Sequence, residues 1–131
     1  MIDTNVLIGD APVVDASYQL AVSSVTYAEL ETGARLATTG SERAQRVRRL
    51  ALARATYGPG LPFDDRAATS FGMLAELVKA TGRTYRARTA DLMIAATAHA
   101  HGAAVLTYNT DYYRGLEDAV SVLDAGGGHN R

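Results

Sequence analysis

The stretch Thr89-Ala-Asp-Leu-Met-Ile-Ala-Ala-Thr-Ala-His-Ala100 decides the fold. From Asp91 onward it is apolar nearly all round, with no polar face of the kind a surface helix carries. Thr89 is read as the N-cap of a helix from Ala90 to His101, and Gly102 as its stop. A helix of this kind is buried in a domain rather than laid on its surface. The run Ala103-Ala-Val-Leu106 that follows reads as a strand. A buried helix leading into an apolar strand is one step of a strand and helix alternation.

The alternation continues outward in both directions. Met1-Ile2 begins a very short first strand, cut off by Asp3, and Leu20-Ala-Val-Ser23 reads as a second. A helix runs from Ser24 or Thr26 to about Leu36, with Gly40 beyond its end. Ser41 can cap the next helix, about 42–56, whose Ala44, Val47, Leu50 and Ala51 follow the 3.6 period. Gly58 to Phe63 is expected to hold a short third strand. Asp64 and Asp65 start a helix with Ala67, Phe71, Leu74, Ala75 and Val78 on one side, ending at Gly82. Residues 83–88 form a loop, and Val120 to Leu123 the last strand. This pattern predicts an α/β domain with a mainly parallel sheet and helices on both faces. In such sheets ligands bind beyond the carboxyl ends of the strands.

The 131 residues suit one domain, taken as 1–124, with 125–131 as a flexible tail around Gly126-Gly-Gly128. Cysteine is absent, which excludes disulfides, thiolate zinc sites and thiol nucleophiles. That absence suits a reducing cytosol, so a cytoplasmic location is expected. No apolar run approaches the ~18 residues of a membrane span, and Asp3 interrupts the N-terminus before a signal-peptide core forms.

The net charge of -1 does not by itself predict a nucleic-acid partner. Its distribution is more informative. Arg43, Arg46, Arg48, Arg49 and Arg54 crowd one segment, and Arg83, Arg86 and Arg88 another. The first group suits a solvated helix face as well as it suits RNA. The second leads directly into Asp91, and is the better candidate for gripping RNA phosphates. His99 and His101 are two apart and cannot share a helix face, and His129 falls in the tail.

Placed on this map, the acids converge. Asp3 ends the first strand, Glu29 lies early in the helix after the second, and Asp91 starts the buried helix. Asn109 and Asp111 follow the strand that ends at Thr107. Each has a plain structural role open to it, as a cap, a turn former or an exposed helix acid. Their joint placement at one sheet edge is harder to explain that way. Crowded carboxylates repel and one takes up a proton unless a cation is present. Mg²⁺ or Mn²⁺ removes the conflict. An oxygen-only acidic site is the pattern for metal-assisted phosphodiester hydrolysis.

Four blocks now resemble a known family. They are Met1-Ile-Asp-Thr-Asn, Ser24-Val-Thr-Tyr-Ala-Glu-Leu-Glu-Thr-Gly, Thr89-Ala-Asp-Leu-Met-Ile-Ala-Ala-Thr-Ala and Leu106-Thr-Tyr-Asn-Thr-Asp-Tyr-Tyr. In this order and spacing the chain resembles a PIN domain, specifically a VapC-type toxin of a type II toxin–antitoxin pair. The resemblance implies a three-layer α/β/α sandwich around a mainly parallel five-stranded sheet. It implies an endoribonuclease dependent on Mg²⁺ or Mn²⁺, a VapB-type antitoxin and a homodimer. By the same resemblance the catalytic, metal-binding acids are Asp3, Glu29, Asp91 and Asp111. Thr4 braces the site, and Asn109 is a neutral polar contact.

Two rivals stand beside it. A phosphatase of the haloacid dehalogenase type would use Asp3 as nucleophile, but it wants Asp where Asn5 stands and a placed Lys, of which Lys79 is the sole candidate. A PIN-like domain that binds RNA or a partner without cutting would not need Asp3, Glu29 and Asp91 intact.

Overall fold

The structure, a computed structural model, describes residues 1–9 and 17–126. The expected glycine-rich tail therefore falls almost wholly outside the described residues, as does His129. Ala125, which was assigned to the tail, is fully buried, and its N–H donates to the Thr107 carbonyl.

The described residues form five α-helices: α1 (Thr4–Leu7), α2 (Ser24–Arg35), α3 (Gly40–Tyr57), α4 (Asp65–Ala80) and α5 (Thr89–Ala100). Two strands, β1 (Val105–Thr107) and β2 (Val122–Asp124), pair in parallel. Single-turn 3₁₀ segments occupy Arg86–Arg88 and Thr110–Tyr113. No helix among the described residues is long and apolar enough to cross a membrane.

The α/β class holds, but among the described residues a five-stranded sheet does not form. Among the described residues only β1 and β2 make a ladder. Ile2 bridges Val22 on one side and Leu106 on the other, and Ser23 bridges Leu61, all in parallel. Backbone hydrogen bonds such as Leu61 N–H to Val22 and Leu106 N–H to Met1, at 2.8 and 2.7 Å, keep these segments side by side. Each leaves the array after a residue or two for a local reason. Asp3 turns the first segment into α1 by accepting from the Thr4 N–H. Ser23 caps α2 through the N–H groups of Val25 and Thr26. Pro62 has no N–H to extend pairing beyond Leu61. The last two strands also sit one or two residues later than expected.

Helix starts are corrected at two places. Thr39, not Ser41, caps α3, its hydroxyl accepting from the Glu42 N–H. Thr89 is the first residue of α5, and its hydroxyl donates to the Arg86 carbonyl instead of capping. Asp64 caps α4 as its sequence position suggests, and Gly102 follows α5 at φ 66°.

Strand alternation splits the core in two. Met1 and Val105 face a cluster built from α4 and α5, with Leu74, Leu92, Ile94 and Ala95 at its centre. Ile2 and Leu106, one residue on, face the opposite cluster of Val6, Val22, Tyr27 and Leu30 from α1 and α2. The all-round apolar character of α5 is thereby explained. Ile94 through Ala98 are all buried, and their small side chains let the sheet segments and α4 approach closely.

Candidate active site

Asp3, at the carboxyl end of the first segment, is 2% exposed. Its Oδ1 accepts from the Thr4 N–H at 2.8 Å. Its Oδ2 accepts from the Thr107 hydroxyl at 2.9 Å and the Tyr113 hydroxyl at 2.8 Å, with the Asn5 amide further off at 3.5 Å. A buried carboxylate needs such donors to offset lost hydration. The Thr107 hydroxyl also accepts from the Asn5 amide and the Asn109 N–H, both at 3.0 Å, and Asn5 Oδ1 accepts from the Tyr108 N–H at 3.1 Å. These bonds lock the first and last of the four sequence blocks together. Burial and the Asp3 carboxylate push the Tyr113 phenol far above its ordinary value, so it remains a donor.

Thr4 joins the next acid. Its hydroxyl donates to Glu29 Oε1 in a short hydrogen bond and lies 3.1 Å from the Thr26 hydroxyl. Asp91, the third residue of α5, completes a trio. Burial pushes its carboxyl up to about 6, with the charges of Asp3 and then Glu29 adding to the effect and Arg88 opposing it. Arg88 Nη1 lies 3.7 Å from Asp91 Oδ2.

Asp111 is placed differently. Its side chain is 58% exposed and its Oδ1 accepts from Arg114 Nε at 2.9 Å, with Arg114 Nη2 on the same oxygen. Arg114 holds its carboxyl below the usual range, helped by Arg83 and Arg88. So the structure brings Asp3, Glu29 and Asp91 into one electrostatic field and leaves Asp111 on an arginine. Asn109 adjoins the trio through its backbone bond to Thr107.

The donor chemistry of the trio fits a hard divalent cation: every group is a carboxylate or hydroxyl oxygen, and burial together with the charges of Asp3 and Glu29 raises the cost of ionising Asp91. Among the described residues, however, no three Asp, Glu or His side chains are drawn together into ligand-forming distance.

The arginines divide too. Arg83 Nη1 donates to the carbonyls of Asp111 and Arg114, at 3.3 Å each, and so pins the 3₁₀ turn. Arg88 lies over the Tyr112 ring, 3.6 Å from its centre. The Arg86 guanidinium engages Tyr85. On α3, Arg46 and Arg49 line a cavity of about 280 Å³ together with Thr4 and Glu29. Their segment suited a solvated helix face and RNA equally from sequence, and these two side chains stand beside Glu29. The sequence reading also missed Asn5, Thr107 and Tyr113 as supports of Asp3. The signal was present in the quoted blocks, since Thr107 closes β1 with its side chain opposite to that of Leu106. His99 and His101 are absorbed by packing partners, the Ser70 hydroxyl and the Thr97 carbonyl, each at 2.8 Å.

A model of the PIN domain matches residues 1–115. The chain belongs to the PIN-domain family. Among solved structures it is similar to VapBC-5 from Mycobacterium tuberculosis, a member of the VapBC family of toxin–antitoxin systems, with 34% identity, 95% of each chain covered and a TM-score of 0.78. That degree of likeness puts this PIN domain with the VapC-type proteins. FitAcB from Neisseria gonorrhoeae matches at 27% identity over 95% of this chain and 96% of its own, TM-score 0.74. VapBC-1 from nontypeable Haemophilus influenzae matches at 25% identity over 94% and 95%, TM-score 0.74. No curated protein sequence matches the chain.

Proposed function

We propose that this PIN domain is the toxin of a toxin–antitoxin pair and acts as a Mg²⁺- or Mn²⁺-dependent endoribonuclease in the cytoplasm. The observation that supports this most is the Asp91 carboxyl, pushed up by burial and further by the charges of Asp3 and Glu29. A protein does not gain stability from such crowding, so the cluster is built for something that binds it.

Asp3 and Asp91 would hold the cation, with Asp111 joining through water once it leaves Arg114. Glu29 would hold a second ion or position the attacking water. When bound, the cation supplies charge neutralisation and lowers the cost of ionising a water. The chain's own residues supply the rest. Thr107 and Tyr113 fix Asp3 so that it does not reorient. Thr4 occupies one oxygen of Glu29 and leaves the other to align a water for in-line attack on phosphorus. The products expected are a 5′-phosphate and a 3′-hydroxyl. Arg88, beside Asp91 and over the Tyr112 ring, would add positive charge near the phosphate without leaving that ring.

The partner implied is an antitoxin of the kind that VapBC-5 carries in its toxin–antitoxin family name; a homodimer belongs to the same reading. The phosphatase alternative loses ground, because Asp3 is buried with both oxygens already accepting hydrogen bonds. Such an oxygen is a poor nucleophile.

The test is cleavage of total RNA by the purified chain with and without Mn²⁺, followed by sequencing of new 5′ ends. Metal-dependent cuts at defined sites, absent in a folded Asp91→Asn variant, are the expected result. Intact RNA in every tube, from a protein that nevertheless binds it, would leave a binding module instead.

A further inference from the structure

Beside Asp91 lies a hollow that the acid trio does not use. It measures about 210 Å³ and opens between the 83–88 segment, the start of α5 and the Thr110–Tyr113 turn. Its floor is apolar, formed by the buried Leu92 and Leu116. Its walls carry Tyr85 and Tyr112, and its rim carries Arg83, Arg88 and Arg114.

Two side chains join this hollow to the acids. Arg88 lines it while standing 3.7 Å from Asp91. Tyr113 lines it while donating to Asp3. A strand with one phosphate at the acids therefore has a neighbouring nucleotide at the mouth of the hollow.

The lining selects what enters. A bare phosphate would gain from the arginines but would lose its hydration against Leu92 and Leu116. An apolar peptide side chain would suit the floor but leave the cationic rim unanswered. A nucleobase satisfies both, with a flat apolar face and an anionic backbone attached. The platform is already assembled. Arg88 is stacked over Tyr112, and Tyr85 is held edge-on against Phe71 at 6.3 Å and 90°. Guanidinium planes and aromatic rings are the surfaces on which splayed RNA bases stack. The volume falls below the roughly 300–1,000 Å³ of drug-sized ligand sites, which suits one ring system rather than a whole cofactor.

We propose that this hollow takes one unstacked base of the RNA strand, next to the scissile phosphate. The proposal rests on the nuclease reading above. Its distinct content is a base-binding subsite at Tyr85, Arg88 and Tyr112.

The experiment uses the full chain and a single-stranded RNA with a mapped cut, carrying an abasic ribose at each position in turn. One position within a nucleotide of the cut should lose about tenfold in kcat/KM, the size expected for one stacked base. Ala87 is exposed and lines the hollow, so Ala87→Trp should fill it. That variant should lose the same factor on intact RNA and nothing further on the abasic RNA. A flat abasic scan overturns the subsite and leaves the nuclease reading standing, as does equal slowing of both RNAs by Ala87→Trp. If the wild-type chain cuts no RNA, the nuclease reading fails, and binding still tests the hollow. 2-Aminopurine scanned along the RNA should then be quenched at one position by wild type and not by Ala87→Trp. Equal fluorescence with both proteins overturns the proposal.

Discussion

Two sides of one sheet edge carry acids in opposite electrical states. At the start of α5, Asp91 is half-buried among other carboxylates and its carboxyl is pushed up to about 6. In the Thr110–Tyr113 turn, Asp111 is exposed, and Arg114 holds its carboxyl below the usual range. Both were expected to be ligands, from their place at the sheet edge and from the family resemblance. The difference shows that position brings an acid to the edge, while its neighbours decide whether it is free to take a cation. Asp91 is short of positive charge and Asp111 already has some.

The largest effect should come from the crowded side. Asp91→Asn is expected to abolish RNA cleavage, by at least about a thousandfold, as removal of a group acting in the transition state does. The same variant should be more stable than wild type without metal. The folded value of Asp91 lies above the unfolded value of about 3.9. The native state therefore binds its proton more tightly, and this group's contribution is fully present below about pH 4. It is lost as pH rises through 6. Asp91→Asn removes that loss, so metal-free stability at pH 7 should rise by about 1–2 kcal/mol, and by little below pH 4. Denaturant melts at the two pH values check it. A metal-free Asp91→Asn chain less stable than wild type at pH 7 would refute the crowding account.

Next in size are the supports of the buried acid. Tyr113→Phe and Thr107→Val each remove a donor from Asp3 Oδ2 while preserving shape. Each should cost about 1–3 kcal/mol, the penalty for a buried polar group left short of a partner. Each should also lower cleavage more than it lowers RNA binding, because the acid is then free to turn. Equal stability in all three proteins would mean that Asp3 is held by Thr4 alone.

These supports mark the boundary of what was legible in the sequence. The places of Asp3, Glu29 and Asp91 in the fold were readable, because Asp3 ends a strand-like segment, Glu29 lies in the second turn of α2 and Asp91 in the first turn of α5. Asn5, Thr107 and Tyr113 were not assigned, since their work depends on segments 102 to 110 residues apart meeting side by side. The sheet shows the same limit. Its apolar segments were found in order, but how soon each one leaves the ladder depends on Ser23 and Asp3 capping at once and on Pro62 withholding an N–H. Capping was also misread where two hydroxyls compete, as Thr39 and Ser41 do before α3. Asp111 was placed correctly in the chain, yet only the fold reveals that Arg114, a few residues on, claims it.

The paired side gives a smaller and subtler effect. Arg114→Ala should leave the melting temperature unchanged, since an exposed ion pair adds little. It should tighten Mn²⁺ binding several-fold by freeing Asp111, and Asp111→Asn should weaken it. Isothermal titration measures both. Unchanged affinity in Arg114→Ala would confine Asp111 to holding its turn and reduce the acid set to three.

The smallest effect separates the arginines from one another. The exposed Arg86 guanidinium engages Tyr85, whereas Arg83 pins two carbonyls of the turn that presents Asp111. If Arg86 contacts a phosphate, Arg86→Ala should reduce the slope of log affinity against log salt by about 1 for RNA. Catalysis at saturating RNA and thermal stability should both stay as they are. Arg83→Ala should do the reverse, loosening the turn and slowing cleavage at saturation with little change in slope. Both variants belong in one salt titration, because the comparison is internal. A slope change for Arg83 and none for Arg86 would exchange their roles. The grip on the backbone would then lie on the Asp111 side of the edge, and Arg86 would be a solvated charge beside Tyr85.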